Sequence, residues 1–518
     1  MSVELVIRNG TVFDGTGAEA ARLDVALENG RIAAVGTVET AGALEIDAAG
    51  LAVAPGFVDI HSHSDYTLLV DPRAVSAIHQ GVTLEVVGNC GFGCFPIGDP
   101  VLARRAIYGY SDDVPLTWSL AGEYFERLEA ARPAVNVLSL VPNGQLRLAT
   151  VGLADRPASD DERAEMDVLL RESLDAGAWG YSTGLEYAQE AAATEDEVAA
   201  LARRAPFYAT HTRRRDEGAA DAVAEAIRVG EAAEVRLQVS HLVPRNGIEE
   251  SRRCVELVES AHDRGQDVAF DMHTRTFGLT HLYAALPGWA LAAEPAQLAR
   301  MLRDPSKRDQ MRTHRSILSA GNDWSRVVLL DNPIRPEYGR RDIASIADER
   351  RQEPLDAVYD LLLDGVDELH RLMVIIHAYS EDQQREAFAH RLCVPGSDAT
   401  TLAPDGRLAE SFFHGAYTWA SWFWRFMVEE ERLLAPAEAV HRLTGQPAAR
   451  LGLSDRGVLR PGARADVVVF DPARFRDRGT TFEPNRLADG VRHVIVNGVQ
   501  TLRDGALTGE RAGMVLRR

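Results

Sequence analysis

The sequence predicts an α/β fold: a (β/α)8 barrel of the TIM type, with a small β-sheet domain built from both chain ends. Three observations carry this. Short strand-like segments closed by Asn-Gly turns occupy both termini, and strand-like and helix-like segments alternate between them. Polar residues able to bind a metal stand at the ends of the strand candidates. A chain of 518 residues also exceeds one ordinary core and calls for a large domain plus a smaller one.

In chain order, Leu5-Val6-Ile7 runs to Asn9-Gly10, Val25-Ala26-Leu27 runs to Asn29-Gly30, and Ile32-Ala33-Ala34-Val35-Gly36 follows. Asp466–Asp471 and Val491–Gly498 repeat that texture near the other end. The expected domains are therefore 1–54 with 456–518 as the small sheet domain and 55–455 as the barrel. A lid or insertion is expected at about 278–345. The apolar run Leu51–Val58 supplies the first barrel strand. Further candidates are Val82–Gly88, Val135–Val141, Ala178–Ser182, Phe207–His211, Val235–His241, Asp267–Asp271, Met373–His377 and Leu392–Ser397. That is one strand more than a barrel needs. Amphipathic helices are expected at Glu162–Ala176 and Ala219–Glu231.

His61 and His63 close the first strand as His-x-His. Alternate residues of an extended strand point the same way, so both imidazoles can aim at one ion. Cys90, His211, His241 and Asp398 also fall at or just beyond strand C-termini. In a barrel those ends converge on the face that carries the active site. Taken alone, a buried cysteine is most often a small hydrophobe and an aspartate can be a helix N-cap. In this company they read as ligands. Four imidazoles, one thiolate and one carboxylate suit zinc, as one or two ions. Cys94, Cys254 and Cys393 lack such company and read as structural. Zinc activates water and polarises a carbonyl, and Asp398 can act as base, so the set is a hydrolytic site for an amide, ester or cyclic amide.

Bulk properties narrow the partners. A formal charge of −21 argues against nucleic acid or an anionic membrane. No apolar stretch approaches the roughly 20 residues of a membrane span. Four scattered cysteines make no disulfide framework, and Met1–Ile7 lacks the pattern of a signal peptide, so a cytoplasmic location is expected. The expected partner is a small amide substrate; a homo-oligomer is compatible with the sequence.

These residues resemble the amidohydrolase superfamily and, within it, the N-acyl-D-amino-acid deacylase (D-aminoacylase) family. Val87-Gly88-Asn89-Cys90-Gly91 looks like that family's cysteine loop, and Gly180–Tyr187 and Ser240-His241-Leu242 match its internal blocks. Gln446–Leu453 and Asp455–Asp466 match its C-terminal signature. The resemblance implies a distorted (β/α)8 barrel with a small β-sandwich from both chain ends, and a tightly held zinc on Cys90, His211 and His241. It also implies a weaker position at His61, His63 and Asp398, with Asp398 as general base and acid.

The substrate positions depart from the family pattern. Val243 and Pro244 stand where the family has a carboxylate-holding lysine, and Asp271-Met272-His273-Thr274-Arg275 replaces D-x-Y-P-Y. Pro142-Asn143-Gly144 replaces G-H-G, and His414-Gly415-Ala416 replaces H-P-R. The H-x-R-x-E block is stretched to His211–Glu217. Arg275, Arg213 or Arg245 can replace the lost lysine, because guanidinium pairs with carboxylate through two hydrogen bonds; the alternative is a substrate with no free α-carboxylate, such as an amidated or peptidic ligand, an aryl amide or a cyclic amide. Tyr187 and His414 are further substrate candidates, and the aromatic-rich run His414–Trp424 either lines the pocket or packs as a helix. Two other readings remain: a hydantoinase-like cyclic-amide hydrolase, against which the very few lysines weigh, and a non-catalytic barrel, against which the full ligand set weighs.

Overall fold

A computed structural model describes residues 3–111, 113–318 and 322–518. Its centre is a ring of eight parallel strands: β1 (Phe57–Asp59), β2 (Val82–Val87), β3 (Asn136–Pro142), β4 (Gly180–Gly184), β5 (Phe207–His211), β6 (Arg236–Val239), β7 (Val268–His273) and β8 (Cys393–Gly396). Neighbours pair in chain order from β1 to β8. The strands are buried almost throughout, which is why they read as continuous apolar runs rather than alternating ones. The seam between β8 and β1 is joined beyond the strand ends. There Asp398 N–H donates to the His61 carbonyl and His63 N–H to the Ala399 carbonyl, each at 2.8 Å. The barrel thus closes on the turns that carry three expected ligands.

Helices cover the ring. Asp160–Asp175 begins with a capping box: Ser159 Oγ accepts the Glu162 N–H and the Glu162 carboxylate accepts the Ser159 N–H. Its first turn carries Asp160, Asp161 and Glu162, which oppose the helix dipole. The second expected helix spans Ala219–Ala233.

The apolar run Leu51–Val58 is two strands, not one. Ala52–Pro55 joins the sheet of the chain ends, and only Phe57–Asp59 enters the barrel. Gly56 lies between them against β2, where an added Cβ would sit 2.1 Å from Thr83 Oγ1. The end sheet runs Ala506–Leu507, Val499–Arg503, Val491–Val496, Val467–Phe470, Ala52–Pro55, Leu5–Val12, Ala21–Glu28, Arg31–Gly36, with Leu44–Asp47 also on Leu5–Val12. Val53 faces Val12 on one side and Val469 on the other. Leu5, Ile7, Val25, Leu27, Val467 and Val469 share its core.

Asp466 anchors this sheet to the barrel. It pairs with buried Arg456 and accepts the Asn497 N–H at 2.7 Å, while Asn136 Nδ2 at the start of β3 lies 3.3 Å away.

Met373–His377 is not a barrel strand. It is the centre of a separate antiparallel sheet, between Phe277–His281 and Val327–Leu329, within the segment joining β7 to β8. Among the described residues no helix is long and apolar enough to cross a membrane.

Candidate metal centre

The strand ends bring the expected donors together at the mouth of the barrel. Cys90 Sγ lies 3.2 Å from His61 Nε2 and 3.4 Å from His241 Nε2. Asp398 Oδ1 lies 3.3 Å from His63 Nε2 and 3.6 Å from His61 Nε2. Two sets therefore converge, His61–Cys90–His241 and His61–His63–Asp398, with His61 in both. Donors around a tetrahedral zinc stand about 3.5 Å apart, given bond lengths near 2.3 Å to sulfur and 2.0–2.1 Å to nitrogen. The spacing seen here fits a shared ion. His211 is in neither set, yet its ring lies 4.6 Å from that of His241 and its Nδ1 is buried without a partner. A buried nitrogen left unpaired is costly unless a ligand takes it.

Backbone strain marks the same turns. Cys90, His241 and Asp398 have φ of 54°, 33° and 44°, a region that non-glycine residues rarely occupy. At Cys90 the glycine that follows has no alternative, because a Cβ on Gly91 would sit 1.7 Å from Glu190 Oε1.

Carboxylates behind the histidines fix which nitrogen faces inward. His61 Nδ1 is 2.9 Å from Asp271 Oδ1, which also accepts the His241 N–H at 2.8 Å. His211 Nε2 is 2.8 Å from Glu186 Oε2, and Arg245 grips both Glu186 oxygens at 2.8 and 2.6 Å. The arrangement leaves Nε2 of His61 and Nδ1 of His211 turned away from the carboxylates and available to an ion, the carboxylate–histidine pattern of metal sites. Sequence reasoning quoted Asp271 and Glu186 inside its blocks but gave them no role. The available signal was position: Asp271 lies on β7 and Glu186 two residues beyond β4, among the strand ends that carry the other donors.

The protonation states of two of the histidines suit ligation. Burial pulls His211 down to about 4 and His241 well below its usual value, so both are neutral imidazoles near pH 7. Burial pushes the Asp398 carboxyl up, but Arg275 and the His63 hydrogen bond outweigh it and hold the group well below the usual carboxylate range. Burial pushes the Cys90 thiol up, with His61 pulling the other way.

The comparisons decide the family. A model described as the amidohydrolase family matches residues 44–314 and 385–502. The chain belongs to the amidohydrolase family. N-acyl-D-aspartate deacylase of Alcaligenes xylosoxydans xylosoxydans is 35% identical over 99% of this chain and 95% of its own length, which places this amidohydrolase among the N-acyl-D-amino-acid deacylases. D-aminoacylase is 30% identical over the whole of both chains with a TM-score of 0.82; a study of its binuclear metal centre describes one-metal activation and second-metal attenuation. N-acyl-D-glutamate deacylase of Bordetella bronchiseptica, complexed with zinc and a phosphonate mimic of the tetrahedral intermediate, is 29% identical over both whole chains with a TM-score of 0.80. As an amidohydrolase the chain acts on C–N bonds other than peptide bonds. Its one lysine, Lys307, stands 5.9 Å from the Trp289 ring in the β7–β8 segment, so no lysine bridges the amidohydrolase's centre.

Above the centre lies a cavity of about 30 Å³, room for a water or two. Tyr108, Tyr187, Arg215, Arg245, Leu279 and Ile376 are among its walls. Tyr187 lines the cavity, its ring 4.7 Å from that of His211. Three substrate expectations need correction. Arg213 points outward to Glu225 (2.7 Å) and the carbonyls of Ala191 and Ala193, captured by the helix that follows β5. Arg275 is held by Asp398 at 2.6 Å and is not free to meet a substrate. His414 packs on Phe277 with ring centroids 5.1 Å apart, and its neighbour Phe413 lines the cavity instead. Arg245 reaches the cavity but is committed to Glu186. Of the aromatic run, Gly415–Trp424 is a helix packed in the core.

Sequence reasoning missed Arg215. Its Nη2 donates to the carbonyls of His241 (2.6 Å) and Val243 (3.3 Å), its guanidinium stands 5.6 Å from the Tyr379 ring, and its Nε is buried without a partner. It sits in the stretched block after His211, where three successive arginines hid which one turns inward.

Proposed function

We propose that this amidohydrolase is a zinc-dependent deacylase of N-acyl-D-amino acids or closely related linear amides. One observation carries the reading: Cys90 Sγ between two imidazole nitrogens at 3.2 and 3.4 Å, with the Asp398 carboxylate beside them at the barrel mouth. The zinc-and-phosphonate complex of the B. bronchiseptica relative supports the same chemistry on this fold. Zinc would be held by Cys90, His211 and His241, with His61 alongside. A second ion would draw on His61, His63 and Asp398. When bound, zinc supplies a Lewis acid for the scissile carbonyl and makes water acidic near neutral pH.

The rest is the work of this chain's side chains. Asp398 is the general base: Oδ1 accepts the proton of the attacking water, and the carboxyl then hands it to the leaving nitrogen. Arg275 on Oδ2 and His63 beside Oδ1 orient the carboxylate before the substrate arrives. Tyr187 lines the cavity next to His211 and is assigned to the substrate carbonyl oxygen. Arg215 is assigned to the substrate carboxylate, because its Nε has no partner and it faces the cavity. Leu279, Ile376 and Phe413 favour an apolar group on the other side. The cavity admits a substrate only when the β7–β8 segment moves outward. The four cysteines are unpaired, which supports a reducing, cytoplasmic setting.

The test is hydrolysis by the zinc-loaded protein of N-acetyl-D- and N-acetyl-L-amino acids and of their C-terminal amides. Turnover of the free D-acids, with little of the L-acids or amides, is expected. Turnover of the amides alone, or of none, would overturn the substrate class.

A further inference from the structure

Tyr187 does not stand alone beside the centre. A second phenol, Tyr108, lines the same cavity with Asp398. The Tyr108 ring lies 4.7 Å from that of His63, and the Tyr187 ring lies at the same distance from that of His211. Phe92 packs against both tyrosines, 4.6 Å from the Tyr108 ring and 4.7 Å, edge to face, from the Tyr187 ring. The two hydroxyls are hydrogen-bonded to each other. Each phenol thus rests on a different histidine of the centre, and the two are held together by the ring of Phe92.

Tyr108 is placed by buried contacts of its own. It belongs to the segment joining β2 to β3 and is 9% exposed. Gln145, buried on the helix after β3, donates from Nε2 to the Gly93 carbonyl at 2.7 Å and to the Ala103 carbonyl at 2.9 Å. Gly93 N–H donates to the Ala106 carbonyl at 2.9 Å. Just beyond Tyr108, Gly109 has a φ of 66°, and a Cβ there would come 2.6 Å from Thr67 Cγ2. The turn that aims the ring is therefore fixed on both sides of Tyr108.

The chemistry follows from counting protons. A phenol keeps its proton at neutral pH, so a hydrogen-bonded pair holds two and uses one internally. Donation from Tyr108 to Tyr187 leaves the Tyr187 proton for the substrate oxygen. It also polarises that O–H bond and makes it a stronger donor. Donors fixed in advance act most where charge develops, on the oxyanion of the tetrahedral intermediate. We propose that Tyr108 is a positioning residue for the hydrolysis: it donates to Tyr187 and holds that phenol's own proton on the oxyanion. The inference rests on the role given to Tyr187 above and adds the residue that orients it.

Methylphosphonate tests this without committing to an amino acid, because it carries the tetrahedral oxygens of the acyl end alone. Its binding to the whole zinc-loaded protein is measured by calorimetry, beside kcat and KM on N-acetyl-D-amino acids. Tyr187→Phe is expected to weaken methylphosphonate and to lower kcat by about 10²–10³, the usual cost of losing an oxyanion donor. Tyr108→Phe keeps the ring and is expected to lower methylphosphonate affinity and kcat about tenfold, the worth of one neutral hydrogen bond. KM should stay unchanged, the mark of an interaction made only in the transition state. In the Tyr187→Phe background the same change is expected to cost nothing further, since two groups acting as one unit are not additive. Equal losses with and without Tyr187 would make Tyr108 an independent group and overturn the proposal. Native affinity in Tyr108→Phe, or no binding by the native protein, overturns it too. Native affinity in Tyr187→Phe overturns the role of Tyr187 and the proposal with it. If no N-acetyl-D-amino acid turns over while the methylphosphonate pattern holds, the substrate class fails and the phenol pair stands. Should Tyr108→Phe not fold, Phe92→Leu decides. It is expected to weaken methylphosphonate in the native background and not in Tyr187→Phe, and unchanged binding in the native background overturns the proposal.

Discussion

At the residue scale the centre is a set of side chains that ordinary backbone geometry would not place together. Cys90, His241 and Asp398 each occupy left-handed φ, so each turn is held by its surroundings rather than by local preference. Cys90→Ala should therefore lose zinc while keeping the barrel; metal analysis beside circular dichroism checks this, and a full metal complement would remove Cys90 from the ligand set. Asp398→Ala should retain at least one zinc and lose about 10²–10⁴ in kcat, the usual worth of a positioned acid–base group. A kcat within tenfold of the native enzyme would assign the base elsewhere. A third prediction concerns Glu85, buried in the barrel with Oε1 2.5 Å from Thr401 Oγ1 and raised to about 8 by burial. Its folded-state pKa lies above the unfolded value of 4.5. The folded protein thus retains a proton that the unfolded chain releases, and this contribution to stability is present at low pH and lost as pH rises through about 8. Glu85→Gln should flatten the fall in Tm between pH 5 and 9; an unchanged slope would show that Glu85 does not titrate with folding. The candidate donors were legible in the sequence because each falls at or just beyond the end of a strand. The fate of Arg275 was not. It depends on β7 lying beside β8, with His273 opposite Gly396, and that pairing leaves no trace in the local sequence.

At the element scale, the loops after β4 and β6 and the end of β5 form a relay from Arg245 through Glu186 to His211. Glu186→Gln should weaken zinc binding by about 10–100-fold, the usual cost of losing a carboxylate behind a ligating histidine. Competition with a chelator reads this out, and native affinity would make the relay merely structural. The β7–β8 segment shows where strand reading fails. Val374, Ile375 and Ile376 form a buried apolar run like any barrel strand, and nothing in its length tells a parallel neighbour from an antiparallel one. Opening of this segment over the small cavity should appear in hydrogen exchange. Amides of Phe277–His281 should gain protection with a bound product analogue, and no change would mean that substrate enters by another route.

At the scale of the whole molecule, the metal is a stabiliser as well as a reagent. A ligand bound only by the folded state raises stability by about 2.7 kcal/mol at 100 times its Kd. Chelation should therefore lower Tm, and added zinc should restore it. The overall architecture was readable because both chain ends share one texture, and one misjudged piece, Leu51–Val58, is an apolar run that serves two sheets. That sharing has a consequence during synthesis. Ala52–Pro55 lies between Leu5–Val12 and Val467–Phe470, so one of its edges waits for a partner made far later. At translation rates of about 5–20 residues per second, the wait is roughly 20–80 s. For that interval the nascent chain presents an unpaired hydrophobic strand edge, and the growing barrel has to shield it or a chaperone must.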